Sequence, residues 1–294
     1  MSNEKPIAIK LIVTDIDGTL LNSEHKLSER NANALKAAAA QGIHLVLATG
    51  KSPASCAALL EQLKLPAYGI YLQGLMTVNA EGKVMSQRTL DPEVARQVIT
   101  YADERGFSIV AYSGQRLLVR ATNAQIEEYT VGYNDPKPEA VGPLQNLLWT
   151  TPIHKLTAIA EPRAVLALRW QLNTQLGGTA RLMQAGVPKM LEILPPNGGK
   201  GAALKALLKE LQVPSEQALA IGDAENDLEM LQIAGVAVAV GNADQKVKDA
   251  ADHVVASNDE DGVAEAIERF ALAASPADAK SEKSETSKAE ETKS

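Results

Sequence analysis

Five short runs of almost unbroken apolar residues, "AIKLIV", "IHLVLA", "GIYLQ", "ALAIG" and "GVAVAV", set the tightest limit on what this chain can fold into. A strand that is apolar throughout must be covered on both faces, which is the situation of a parallel sheet held between helical layers. Helices with marked ends stand between the runs. In "KSPASCAALLEQLKLP", Ser52 is a candidate N-cap and Pro53 takes the first helical position, where its missing N–H costs nothing. Asp91-Pro92 repeats the arrangement before "EVARQVITYADERG", which Gly106 closes as a left-handed cap. The alternation runs from residue 7 to about 88 and resumes from about 190 to 272. It predicts an α/β fold with a Rossmann-like, doubly wound parallel-sheet core.

The middle of the chain reads differently. From Leu90 to about Pro188 the runs "FSIVAY", "RLLVRA", "IHKLTAIA" and "ARLMQA" alternate more, as half-exposed strands do, and two helices are interleaved with them. The expected organisation is therefore a core of residues 1–89 and 189–273, an inserted α/β domain with an open sheet at 90–188, and a tail at 274–294. The tail has no apolar residue larger than Ala and is expected to be disordered. "YNDPKPEAVGP", with three prolines, is expected to be a surface loop of the insertion.

Composition excludes several functions. A formal charge of -7, a pI near 5.3 and the absence of a Lys/Arg cluster argue against a nucleic-acid partner. No apolar run approaches the roughly 18 residues of a membrane span, and "MSNEKPIAIK" is not a signal segment, so a cytoplasmic protein without a membrane partner is expected. Cys56 is the single cysteine and forms no internal disulfide, in keeping with a reducing compartment. Its apolar helical setting favours packing over catalysis.

The chemistry begins where the first run stops, at Asp15-Ile16-Asp17-Gly18-Thr19. A plain turn would explain Gly18 but not two acids. A calcium loop opening at Asp15 would need glycine and glutamate where Leu20 and Lys26 stand, so it fails. Metal-assisted phosphoryl transfer is the third possibility, with one carboxylate attacking phosphorus and the other moving a proton. Its partners should lie at other strand ends, where an open parallel sheet binds ligands. "IHLVLATGK" ends in Thr49-Gly50. "ALAIGDAENDLEM" ends in Asp223, with Asn226 and Asp227 following; taken alone, Asp227 reads as a helix-dipole partner. Lys200 opens an amphipathic helix between glycines, a position where a lysine opposes the dipole unless an anion binds nearby.

This order of motifs resembles the haloacid-dehalogenase-like (HAD) superfamily of phosphatases. "DIDGTLL", "ATG", "KGAALKALL", "IGDAENDLEML" and "NDEDGVAEAI" resemble the signature stretches of its Cof-type subgroup. The resemblance spans residues 7 to about 272 and implies that the insertion is a cap over the active site. It implies Asp15 as the nucleophile forming an aspartyl-phosphate, and Asp17 as the acid and base. Thr49, Gly50, Lys200 and Asn226 would bind the substrate phosphate. Mg²⁺ would be held by Asp15, Asp17 through its main-chain carbonyl, Asp223 and Asp227. A small phosphorylated metabolite, a sugar phosphate or a related compound, is the implied partner. A phosphomutase and a non-catalytic phosphate- or metal-binding regulator remain as alternatives. Two positions depart from the subgroup: Lys51 stands for its usual Arg, and Gln73-Gly74 for its common Asn-Gly. Tyr112, Arg116, Tyr133, Asn134 and Lys155 are polar or aromatic candidates in the cap, for which ordinary surface or packing roles are the simpler expectation.

Overall fold

The computed structural model describes residues 8–133, 135–184 and 189–273. In chain order the first segment carries β1 (Leu11–Asp15), α1 (Glu29–Ala40), β2 (His44–Ala48), α2 (Ala57–Leu63), β3 (Ala67–Tyr71), β4 (Met76–Val78) and β5 (Val84–Gln87). The insertion carries α3 (Pro92–Asp103), β6 (Ser108–Ser113), β7 (Arg116–Val119), α4 (Ala124–Gly132), β8 (Glu139–Ala140), β9 (Lys155–Ile159), α5 (Pro162–Leu176) and β10 (Arg181–Met183). Then come β11 (Met190–Leu194), α6 (Lys200–Glu210), β12 (Ala218–Gly222), α7 (Leu228–Ile233), β13 (Val236–Ala239), α8 (Gln245–Ala250), β14 (His253–Val254) and α9 (Gly262–Ile267).

The eight-stranded sheet has the order β14-β13-β12-β1-β2-β3-β4-β5. Its strands are parallel up to β3, and β4 and β5 are added antiparallel at one edge. The five apolar runs all lie in its parallel part, and every residue of β1 and β12 is buried, as full coverage requires. Caps fall where the sequence puts them at α3: the Asp91 carboxylate accepts the N–H groups of Glu93 and Val94, and Gly106 is left-handed at φ 73°.

A six-stranded sheet, in the order β10-β11-β9-β6-β7-β8, forms the insertion. Two expectations need correction here. First, β11 pairs with β9 and β10, so residues 190–194 belong to this sheet rather than to the core, and the chain returns only after Leu194. The run "MLEIL" is buried on both sides like a core strand, which hides its allegiance. Second, the central strands are not half-exposed: β9 is buried throughout, as is β6 except at Ser113. Their alternation sorts side chains between two buried environments. Ile109 and Ala111 join the core of the insertion, with α3 and α5, while Val110 and Tyr112 join the larger core. The second face is thus turned toward the first domain, and it carries Tyr112, Lys155 and Glu192. The expected tail and Asn134 lie outside the described residues. No helix among the described residues is long and apolar enough to cross a membrane.

Candidate active site

Loops leaving the C-terminal ends of β1, β2, β3 and β12 converge beside β1, where the chain turns to β2 on one side and β12 on the other. Such a divergence opens the crevice in which parallel sheets seat ligands. Asp15 ends β1 and is 5% exposed, and Asp223 follows β12. Together with the fully buried Asp227 they offer carboxylate oxygens that all lie within 4.8 Å of one another. Lys200, at the start of α6 and also buried, donates to Asp15 Oδ1 at 2.6 Å and Asp227 Oδ1 at 2.7 Å. The other Asp227 oxygen accepts the N–H groups of Asp223 and Ala224, each at 3.1 Å. Thr19 Oγ1 donates to Asp223 Oδ1 at 2.5 Å. Asp227 is therefore more than a dipole partner: it joins Lys200 to the turn that presents Asp223.

Three carboxylates face one ammonium, which leaves a buried surplus of negative charge. Burial holds the Asp15 carboxyl well above the usual carboxylate range; Lys200 opposes this, and Asp227 and Asp223 add to it. Burial and the neighbouring Asp227 push Asp223 up to about 6. Burial disfavours the charged form of Lys200, but attraction to Asp15 and Asp227 outweighs it and raises its ammonium above the ordinary range. An all-oxygen donor set with excess negative charge fits a hard divalent cation. Gly18 wraps closely around it: at φ 80°, a Cβ there would lie 2.6 Å from Asp223 Oδ2.

The Asp17 carboxylate is not part of this acidic group, and the metal contact expected of Asp17 is through its main-chain carbonyl. Lys51 draws it aside, donating from Nζ to Oδ1 at 2.6 Å, and His25 Nδ1 lies 3.7 Å away. Only the main-chain carbonyl of Asp17 is left for such a role. Thr49 is buried and its hydroxyl oxygen accepts the Lys51 N–H at 3.1 Å. The Gly50 carbonyl accepts Lys155 Nζ at 2.9 Å, and Asn226 Nδ2 donates to Gln73 Oε1 at 3.1 Å.

A cavity of about 650 Å³ lies over these groups, floored by Asp15, Asp17 and Lys51 and roofed by Tyr112, Tyr133 and Lys155 of the insertion. Lys155 and Tyr112 thus line the cavity, the lysine lying 4.4 Å from the centre of the tyrosine ring. Arg116 is elsewhere, in an exposed pair with Glu139 at 2.6 Å. Sequence reasoning missed Glu192 and Asp135. Glu192, the lone acid in "MLEIL", pairs with Lys155, and its isolation in an apolar run is a signal that could have found it. Asp135 accepts hydrogen bonds from Ser55 and, at 2.7 Å, from the Tyr112 hydroxyl, while burial raises its carboxyl above the usual range. Nothing in its proline-rich surroundings marks it.

Residues 12–267 match the family model of haloacid dehalogenase-like hydrolases. Phosphatase YwpJ of Bacillus subtilis is 28% identical over 278 residues, covering 87% of this chain and 98% of that protein. The chloroplastic endoribonuclease YBEY of Arabidopsis thaliana is 37% identical over 271 residues, 89% of this chain but 46% of that longer protein, so its name carries no activity across. The crystal structure of a haloacid dehalogenase-like hydrolase from Bacteroides thetaiotaomicron superposes with a TM-score of 0.82 at 32% identity, covering 89% of this chain and 99% of that one. With the strand-end motifs in place and the match running through both domains, the chain belongs to the haloacid dehalogenase-like hydrolases, in their Cof-type subgroup, and is a phosphatase.

Proposed function

We propose that this phosphatase hydrolyses phosphate monoesters of small metabolites, sugar phosphates or related compounds, through an aspartyl-phosphate on Asp15 and with Mg²⁺. The observation that supports the reading is the buried Asp15–Lys200–Asp227 group beside Asp223, from which Asp15 and Asp223 line a cavity with room for a leaving group much larger than phosphate. Bound Mg²⁺, held by Asp15, Asp223 and the Asp17 carbonyl with Asp227 in support, would neutralise repulsion between carboxylate and phosphate.

The chain's own residues divide the work. An Asp15 carboxylate oxygen forms a bond to phosphorus as the ester P–O bond breaks, and Asp17 gives its proton to the leaving oxygen. Asp17, now ionised, takes a proton from water as the water oxygen attacks the phosphorus, which releases orthophosphate and restores Asp15. Lys51, 2.6 Å from Asp17, steers that carboxylate toward the cavity and away from the acidic group. Thr49, Gly50, Asn226 and Lys200 would hold the phosphoryl oxygens, the lysine exchanging an aspartate partner for the incoming anion.

The test uses Asp17→Asn with p-nitrophenyl phosphate in rapid mixing. The nitrophenolate leaving group needs little protonation, whereas water attack always needs its base, so a burst should precede turnover slowed by about 10²–10⁴-fold. The protein should then carry a hydroxylamine-sensitive phosphate, and Asp15→Asn should carry none. Full activity after exhaustive chelation would remove Mg²⁺ from the reading. Transfer to a sugar acceptor without release of orthophosphate would make the protein a phosphomutase.

A further inference from the structure

The turn after β3 is built against local preference. Leu72 and Gln73, neither of them glycine, have φ of 53° and 60°, and Gly74 follows at 83°. Left-handed backbone is costly for a leucine or a glutamine and persists only where its surroundings fix it. Here the surroundings are the site. The Leu72 N–H donates to the Lys51 carbonyl at 2.9 Å and the Gln73 N–H to the Thr49 carbonyl at 3.1 Å. Gly74 presses on the residue before Lys200: a Cβ there would lie 2.1 Å from the Gly199 carbonyl oxygen.

The Gln73 side chain, 2% exposed, completes the junction. Its Oε1 accepts from Asn226, and its Nε2 donates to Glu192 Oε2 at 2.8 Å. Glu192 lies on β11 of the insertion, where it is paired with Lys155 of β9, and Lys155 reaches back to the Gly50 carbonyl. The ring of contacts closes tightly, since a Cβ on Gly50 would lie 2.5 Å from Gln73 Nε2. One side chain thus touches the segments that carry Thr49, Asn226 and the cap, and its turn abuts the one that carries Lys200.

We propose that Gln73 is a positioning residue that ties closure of the inserted domain, through Glu192 and Lys155, to the placement of the Thr49–Lys51 segment. The inference rests on the phosphatase reading above for what that segment does. When the cap is seated, Glu192 fixes the Gln73 amide and Lys155 fixes the Gly50 carbonyl. When it lifts, both anchors leave together and the phosphoryl-holding segment loses its alignment. A substrate that fails to seat the cap is therefore turned over slowly even though its phosphate is bound.

The experiment exchanges the charge across the junction. Q73E sets two carboxylates against each other where an amide–carboxylate hydrogen bond stood, while Q73E/E192Q restores donor and acceptor with their sides reversed. With p-nitrophenyl phosphate, Q73E should lose kcat by about 10–100-fold with little change in KM, as expected when reacting groups are displaced slightly. Its radius of gyration by small-angle scattering should rise. The exchange variant should recover both. A Q73E enzyme with wild-type kcat, or an exchange variant as slow as Q73E at a native melting temperature, would overturn the proposal. Should Q73E not fold, Q73L keeps the turn but removes both side-chain bonds. Folded Q73L should be slow and should not be rescued by E192Q, and wild-type kcat in it would equally overturn the proposal. Failure of the phosphatase reading is seen separately, as wild-type turnover that survives Asp15→Asn, and the scattering comparison needs no turnover.

Discussion

Lys200→Met isolates what the buried ammonium contributes. Lys200 Nζ sits 2.6 Å from one carboxylate and 2.7 Å from another, and its side chain has no solvent exposure. At an effective dielectric of about 20, each contact is worth roughly 6 kcal/mol of attraction, so about 12 kcal/mol gross for two. Desolvating the ammonium and its partners consumes several kcal/mol per ion, and removing one member of a buried pair costs about 3–5 kcal/mol net. For a chain of this size that corresponds to a melting temperature lower by about 6–20 °C. The measurement is thermal unfolding of the chelator-treated protein near neutral pH, with and without Mg²⁺. The deficit should shrink on acidification. Asp15 and Asp223 already have raised carboxyl pKa values, Asp223 at about 6, and losing Lys200 removes the attraction of an ammonium that lowers both. Since raised folded values mean that the folded state holds more protons than the unfolded one, stability from these acids is present at low pH and is lost as pH rises through the folded pKa. Mg²⁺ should reduce the deficit near neutral pH by supplying the missing positive charge. A Lys200→Met protein as stable as wild type in chelator near neutral pH would refute the account of the acids as a charge surplus held by one ammonium.

Gly18→Ala should lower turnover at least about tenfold and weaken Mg²⁺ binding, because its φ of 80° disfavours a side chain and the new methyl would meet Asp223 Oδ2; unaltered Mg²⁺ affinity by calorimetry would contradict this. Burial lowers the His154 pKa, and its Nδ1 accepts the Gly114 N–H at 3.1 Å. Stability should therefore fall as pH drops below the unfolded value of about 6.5, where only the unfolded chain takes up the proton, and a His154→Gln protein whose denaturation midpoint shows the same acid slope would count against it. Burial pushes the Cys56 thiol up to about 12, so the native protein should resist iodoacetamide at mildly alkaline pH while the unfolded chain reacts; stoichiometric native labelling would contradict the burial.

The core was legible because each of its signals is local. A buried parallel strand announces itself as a continuous apolar run, and the catalytic candidates stand at the ends of those runs, so Asp15, Thr49 and Asp223 are found by reading where apolarity stops. Lys200 was legible for a different reason: it contradicts its helix position, and a residue placed against local preference marks something that rewards it. The same logic extends to Leu72 and Gln73, but their misfit lies in backbone conformation, which residue identity does not reveal; the sequence shows only an ordinary glutamine before a glycine.

The insertion resisted reading because its strands have two buried faces of different kinds. Alternation reports that adjacent side chains differ in surroundings, and solvent is only one such surrounding. On β6, Ile109 and Ala111 face their own helices, while Val110 and Tyr112 face the other domain. The polar members of that second face, Lys155 among them, therefore look like the wet side of an open sheet when they are in fact the roof of the cavity. They tolerate burial by satisfying one another, Lys155 pairing with Glu192 and Glu192 with Gln73 of the core. The isolation of Glu192 in "MLEIL" flags the acid, but neither its neighbours nor their spacing record its pairing with Gln73 across the domain boundary. That is why the floor of the cavity could be read from five short motifs and its roof could not.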